Sequence, residues 1–102
     1  MEKITNEEKK FAEEIEQTVK LYESFIPNTA LMTRQMIEKY GAINAVKKLL
    51  ISGKAQKGFK TLCGNGQKEQ TFEALVLKYK SLFSAEEISA AEFRLNHYEE
   101  LK

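Results

Sequence analysis

Apolar residues recur three or four positions apart along almost the whole chain, and no stretch alternates residue by residue. That spacing puts them on one face of a helix and leaves a sheet without material. Phe11, Ile15, Thr18, Val19, Tyr22 and Phe25 form the first such stripe, predicting a helix from about Asn6 to Phe25. Thr5 can cap it, with Glu8 three residues on to complete a capping box. Pro27 stops it, because a residue before proline is pushed out of the helical region.

The same logic continues downstream. Asn28 or Thr29 is the expected cap of a second helix carrying Leu31, Met32, Met36, Ile37 and Tyr40, with Gly41 at its C-terminal end. A third helix follows almost at once through Ile43, Val46, Leu49 and Leu50, ended by Gly53, so the two helices must turn sharply against each other. Residues 52–70 read as the least regular part. Four of the five glycines lie there, and only a short helical turn around Gly58–Leu62 is expected, pinned by Phe59 and Leu62. Cys63-Gly64-Asn65-Gly66 reads as a turn. Thr71 caps a fifth helix through Leu75, Val76 and Tyr79. Ser84 with Glu87 makes a second capping box for a sixth, with Ile88, Ala91, Leu95 and Tyr98 as its stripe. The expectation is an all-α fold: one compact domain over residues 1–102, built from five or six short helices. Residues 1–26 form an amphipathic N-terminal helix, residues 28–102 form a helical core, and a glycine-containing irregular segment lies in the middle. With 102 residues and 42% hydrophobic residues, such a chain can bury a modest core.

Residue inventory restricts the chemistry. All 15 acidic residues are Glu, and the chain has one His (His97) and one Cys (Cys63). A Ser–His–Asp or Cys–His–Asp triad cannot be assembled. A Cys/His zinc site lacks ligands, and a disulfide within the chain is impossible. The Glu-rich first helix lacks the Glu-x-x-His pairs of di-metal carboxylate sites. No catalytic residue, cofactor site or metal site is expected, and the chain is read as a non-enzyme. No apolar run approaches the ~18–20 residues of a membrane span. Residues 1–8 show no charged-then-apolar export pattern, and a lone Cys fits a reducing compartment. The expectation is a cytoplasmic protein without membrane contact.

The net charge of +1 hides a pattern. Residues 1–33 carry −3, residues 34–80 carry +7 and residues 81–102 carry −3. Two accounts compete. Acidic terminal helices can pack beside the basic middle and cancel it within the fold, which is the favoured account. Alternatively Lys47, Lys48, Lys54, Lys57 and Lys60 form a partner-binding surface. That patch has no Arg between positions 35 and 93, so any nucleic-acid contact would be to the backbone and salt-sensitive.

Other motifs resolve to ordinary structure. The helix–turn–helix of residues 30–51 offers only Asn44, Lys47 and Lys48 as polar reach in its second helix, so a core α-hairpin explains it better than a DNA reader. Gly64-Asn65-Gly66 lacks the strand and the Gly-Lys-Ser/Thr of a phosphate loop. Cys63 reads as a half-buried apolar residue, with a reactive thiol beside Lys60 as the minor alternative. His97, alone on the last helix, reads as a surface residue. The aromatic stripe of the first helix must be covered, either by the rest of the fold or across a homodimer.

Gly58-Phe59, Leu62, Thr71-Phe72-Glu73-Ala74-Leu75-Val76-Leu77, Leu82-Phe83-Ser84-Ala85-Glu86-Glu87-Ile88, Ala91 and Arg94-Leu95, with Tyr40-Gly41 and Ala45-Val46 upstream, resemble a small helical module. It is associated with uncharacterised proteins of Gram-positive bacteria, their bacteriophages and other mobile elements. The resemblance covers roughly residues 37–98. It implies a mobile-element accessory protein acting on another macromolecule, and no site residues. Taken with the inventory, the expected function is non-enzymatic protein binding, by occupying a surface of a larger protein partner. An inhibitor of a host-defence nuclease, of the anti-CRISPR type, would be one such protein. The alternative is a weak, backbone-type nucleic-acid binder using the lysine-rich middle.

Overall fold

Local side-chain caps start three of the six described helices. In this computed structural model, which describes residues 5–27, 29–51 and 55–97 (side chains from 58 onward in the last segment), the Thr5 hydroxyl accepts from the Glu8 amide at 3.1 Å and opens α1 (Asn6–Glu23). Thr71 does the same for α5 (Phe72–Lys78) through the Ala74 amide at 3.1 Å. Ser84 opens α6 (Ala85–Asn96) with both halves of a capping box in place. Between them lie α2 (Leu31–Tyr40), α3 (Ala42–Ile51) and α4 (Ala55–Gly64), with 3-10 turns at Lys68–Gln70 and Lys80–Leu82. Among the described residues there are six α-helices and no strand. The fold is an all-α bundle, as expected.

Gly41 makes the hinge of the α2–α3 hairpin. Its φ of 83° and ψ of 162° lie in a region essentially reserved for glycine. This single residue ends one helix, its amide donating to Ile37 at 2.8 Å, and starts the next, its carbonyl accepting from Ala45 at 2.9 Å. The sequence pattern points to a left-handed residue here; the positive φ is found, with an extended ψ.

One continuous core ties the helices together. α1 packs on α3, α4 and α5, while α6 packs on α3 and α5. Phe11, Ile15 and Val19 of α1 meet Val46 and Leu50 of α3, Leu75 and Val76 of α5, Phe83, and Ala91 of α6. Phe11 sits edge-on to both Tyr79 and Phe83, with ring centroids 5.4 Å apart in each pair. The first part of the α1 stripe, Phe11, Ile15 and Val19, is therefore spent inside its own chain, while Tyr22 is half-buried and Phe25 is 38% exposed. The radius of gyration, 12.9 Å, is that of a globule of about 100 residues.

Three expectations change. The middle is not irregular where it is described: α4 runs ten residues, through Gly58. Phe59 and Leu62, three apart, are both buried, and their burial outweighs the helix cost of one glycine, ~1 kcal/mol. α4 then closes in a Schellman motif, with Gly66 at φ 75°, its amide bonded to the Cys63 carbonyl and the Gln67 amide to the Leu62 carbonyl. Next, α2 starts at Leu31 with Ala30 at its cap and no side-chain cap bond of its own; Asn28 lies outside the described residues. α2 also contains no fully buried residue, because its Leu31 and Met32 turn away from the core. The ends expected at Gly53 and the stripe position Tyr98 also lie outside the described residues.

Candidate functional site

The end of α1, the 26–30 connection, the first turn of α2, α4 and the start of α5 leave a cleft of about 630 Å³ between them. Pro27 ends α1 there and carries the chain across to α2. Val19 and Tyr22 supply one wall, Phe59 and Leu62 another, and Leu31 and Met32 the rim. Leu31 is 62% exposed and Met32 55%. Two large apolar side chains held in solvent at the mouth of an apolar cleft mark it as the strongest binding feature in the molecule.

An ion cluster holds the rim in place. Arg34 of α2 grips Glu23 of α1 with both arms of its fork, Nε to Oε2 at 2.8 Å and Nη2 to Oε1 at 2.6 Å, while Nη1 reaches Glu16 at 2.9 Å. Glu23 Oε2 also accepts from the Ala30 amide at 2.8 Å. A carboxylate from α1 thus caps α2, where Asn28 or Thr29 is expected from the sequence; Asn28 lies outside the described residues. The Arg34 fork, followed by the Ala30 amide, holds the Glu23 carboxyl down at about 2. The same contacts hold Arg34 more firmly protonated.

Among the described residues Glu73 is the one charged side chain lining the cleft, and it is only 2% exposed. Its Oε2 accepts from Arg94 Nη1 at 2.8 Å. Arg94, itself buried, also donates through Nη2 to the Leu50 carbonyl at 2.6 Å. One guanidinium therefore joins α5, α6 and the end of α3 under the cleft floor. Burial raises the Glu73 pKa, and the Arg94 bond opposes that rise. Two lining hydroxyls are also engaged: Thr18 donates to the Gln70 carbonyl at 2.7 Å and Thr71 to the Lys68 carbonyl at 2.8 Å. Among the described residues the lining offers a charged occupant no uncommitted counter-charge to replace its lost water, which is costly. The cleft suits an uncharged apolar group.

The five lysines singled out in the sequence do not form one face where they are described. Lys47 reaches Glu87 of α6 at 3.8 Å and lies 6.0 Å from the Phe83 ring centroid. Lys48 turns the other way, 4.6 Å from the ring centroid of Tyr40 on α2. Lys60 is half-buried on α4. Lys54 lies outside the described residues, as does the side chain of Lys57. Charge from the termini does reach the basic middle: Glu16 and Glu23 on Arg34, Glu14 on Lys78 at 2.8 Å, and Glu87 on Lys47.

Cys63 is half-buried, and burial pushes its thiol pKa up, with Glu73 adding to the effect and Lys68 opposing it. That is the wrong direction for an activated nucleophile. His97, expected at the surface, is half-buried: its ring stacks on Phe93, centroids 4.1 Å apart, and its Nδ1 lies 2.8 Å from the Phe93 carbonyl. Among the described residues no three His, Cys or Glu side chains gather as a metal site, and no helix is long and apolar enough to cross a membrane.

No protein-family model, curated protein or solved structure matches the chain.

Sequence reasoning missed the cleft, the Arg34 cluster and the Glu73–Arg94 pair. A signal for the pair was present. Arg94 sits three residues after Ala91 on the apolar face of α6, and Glu73 lies within the otherwise apolar run Phe72–Leu77. Opposite charges on two core-facing stripes point to a buried pair.

Proposed function

We propose that this chain is a non-enzymatic binding protein, which acts by taking an uncharged apolar segment of a larger protein partner into the cleft beside α2. The observation that carries the reading is the exposed Leu31 and Met32 at the rim of an apolar cleft whose one charged lining residue among the described ones, Glu73, is already committed to Arg94. At about 630 Å³ the cleft falls in the size range of sites that enclose a ligand or a few anchor side chains. The expected inhibitor role is one use of such a site. A small domain that takes an apolar segment of a nuclease into its own cleft blocks it with no chemistry of its own.

Selection from a displayed random-peptide library, followed by fluorescence polarisation with the winners, tests this directly. The selected peptides should share two or three apolar anchors and lack charge between them. Leu31→Ser with Met32→Ser should weaken them more than tenfold, as truncation of central anchors does, while leaving the melting temperature within a few degrees. Peptides that bind the rim variant as well as the parent chain would refute the reading.

A further inference from the structure

A second surface, made of side chains that do not line the cleft, lies on the α2–α3 hairpin. Lys39 at the end of α2 and Lys48 at the end of α3 both point at the ring of Tyr40, with Nζ 5.2 Å and 4.6 Å from its centroid. The two ammonium groups are therefore within 9.8 Å of each other. Both lysines are exposed, and Tyr40 is 38% exposed. Among the described residues neither lysine has a carboxylate within ion-pair distance. Glu38 adjoins Lys39 in sequence, but neighbours along a helix face different directions. A favourable helix-end dipole accounts for one lysine in each last turn. It does not account for two converging on one partly exposed aromatic ring. Gly41 sets the arrangement, since its one-residue link turns α3 so that Lys48, about two turns in, comes back to the Tyr40 ring at the end of α2.

We infer that Lys39, Tyr40 and Lys48 form a contact for single-stranded nucleic acid, the lysines swinging off the ring to meet successive phosphates and a base taking their place on it. Charge and an aromatic platform at one place are the two components of sequence-tolerant single-strand binding. Both cations are Lys, which contacts phosphate as a point charge, so the contact carries no base selectivity. The surface differs from the five-lysine patch expected from the sequence: it keeps Lys48, adds Lys39 and Tyr40, and excludes Lys47, which faces Glu87.

Fluorescence anisotropy with a labelled oligothymidine of about 20 nucleotides, titrated between about 20 and 150 mM salt, tests the assignment. The parent chain should bind at the lowest salt, with a linear fall of log K against log[salt]. Lys39→Gln with Lys48→Gln should flatten that slope by about 1.4, since each single-strand phosphate contact contributes ~0.7. Tyr40→Leu should keep the slope and weaken binding by roughly tenfold. Lys68→Gln with Lys80→Gln, exposed lysines elsewhere, should change the slope little; circular dichroism checks that every variant is folded. Three results overturn the assignment: no binding at the lowest salt, an equal loss of slope in the Lys68/Lys80 pair, or poly-glutamate displacing the oligonucleotide at equal charge concentration, which would make the partner an acidic protein.

Discussion

Replacing Arg94 with Met removes the guanidinium that serves three elements at once. Its carboxylate partner Glu73 is 2% exposed and would be left charged with no counter-ion in contact. The Leu50 carbonyl would also lose a donor at 2.6 Å. Breaking a buried pair from one side costs ~3–5 kcal/mol, against a total stability of ~5–15 kcal/mol for a domain of ordinary stability. At ~4–8 °C per kcal/mol for this size, the melting temperature should fall by roughly 15–30 °C. Arg94→Met combined with Glu73→Leu removes both charges. It should recover most of the loss, leaving ~1–2 kcal/mol for the Leu50 carbonyl. Urea denaturation followed by circular dichroism at 222 nm gives the three differences and their coupling. A pH series adds a second check. Burial already raises the Glu73 pKa, and without Arg94 the neutral carboxyl is favoured still more. A group with a raised folded-state pKa contributes stability below its unfolded value and loses it as pH rises. The Arg94→Met penalty should therefore shrink at pH 4 relative to pH 8. A single-variant loss under ~1 kcal/mol, or a double variant no better than Arg94→Met, would refute the account of the pair as a charge that must be matched in place.

Gly41→Ala places a side chain at φ 83°, where nothing crowds its Cβ but the backbone itself is strained; thermal melts should show a loss of ~1–3 kcal/mol. Gly58→Ala should do the reverse, gaining ~0.5–1 kcal/mol, because its Cβ would meet only the Tyr22 ring at an ordinary 3.9 Å within a helix. The Glu23 carboxyl is held at about 2, below its ordinary 4.5, so it contributes stability present above about pH 4.5 and lost as pH falls toward 2. Glu23→Gln should lower the melting temperature at pH 7 and flatten its pH dependence across that window. Ser84→Ala removes the α6 capping box and should cost about 1 kcal/mol in the same urea assay.

What was legible in the sequence was local. Thr5, Thr71 and Ser84 cap helices through amides three residues on, a relation that needs no knowledge of the fold. The apolar stripes of α1, α3 and α5 were legible for the same reason, since their spacing alone sets the buried face. What failed was non-local. α2 is capped by Glu23, seven residues before Ala30 and on another helix, which no spacing rule reaches. Gly58 reads as a breaker until Phe59 and Leu62 are seen to be buried. Leu31 and Met32 read as core because they sit among other apolar residues, yet they line a cleft that exists only once α1, α4 and α5 are assembled around it.

Charge shows the same division, and it bears on function. The alternation of −3, +7 and −3 invites cancellation within the fold, and specific contacts provide it where α1 and α6 touch the basic middle: on Arg34, Lys78 and Lys47. Those contacts decide which basic residues serve the fold and which face outward. Arg34 is a brace for the cleft rim rather than a ligand for anything outside it. Lys47, inside the sequence-derived patch, turns to α6. Lys39 and Lys48 lie at the end of the hairpin, where no described acidic side chain pairs with them. Two outward-facing features of opposite character therefore remain on one small bundle, an uncharged cleft beside the start of α2 and a cationic aromatic tip at its end. Leu49, next to Lys48 in α3, lines the cleft, so the two features meet on α3 as well as on α2. On the two proposed readings a single protein partner carrying nucleic acid touches both.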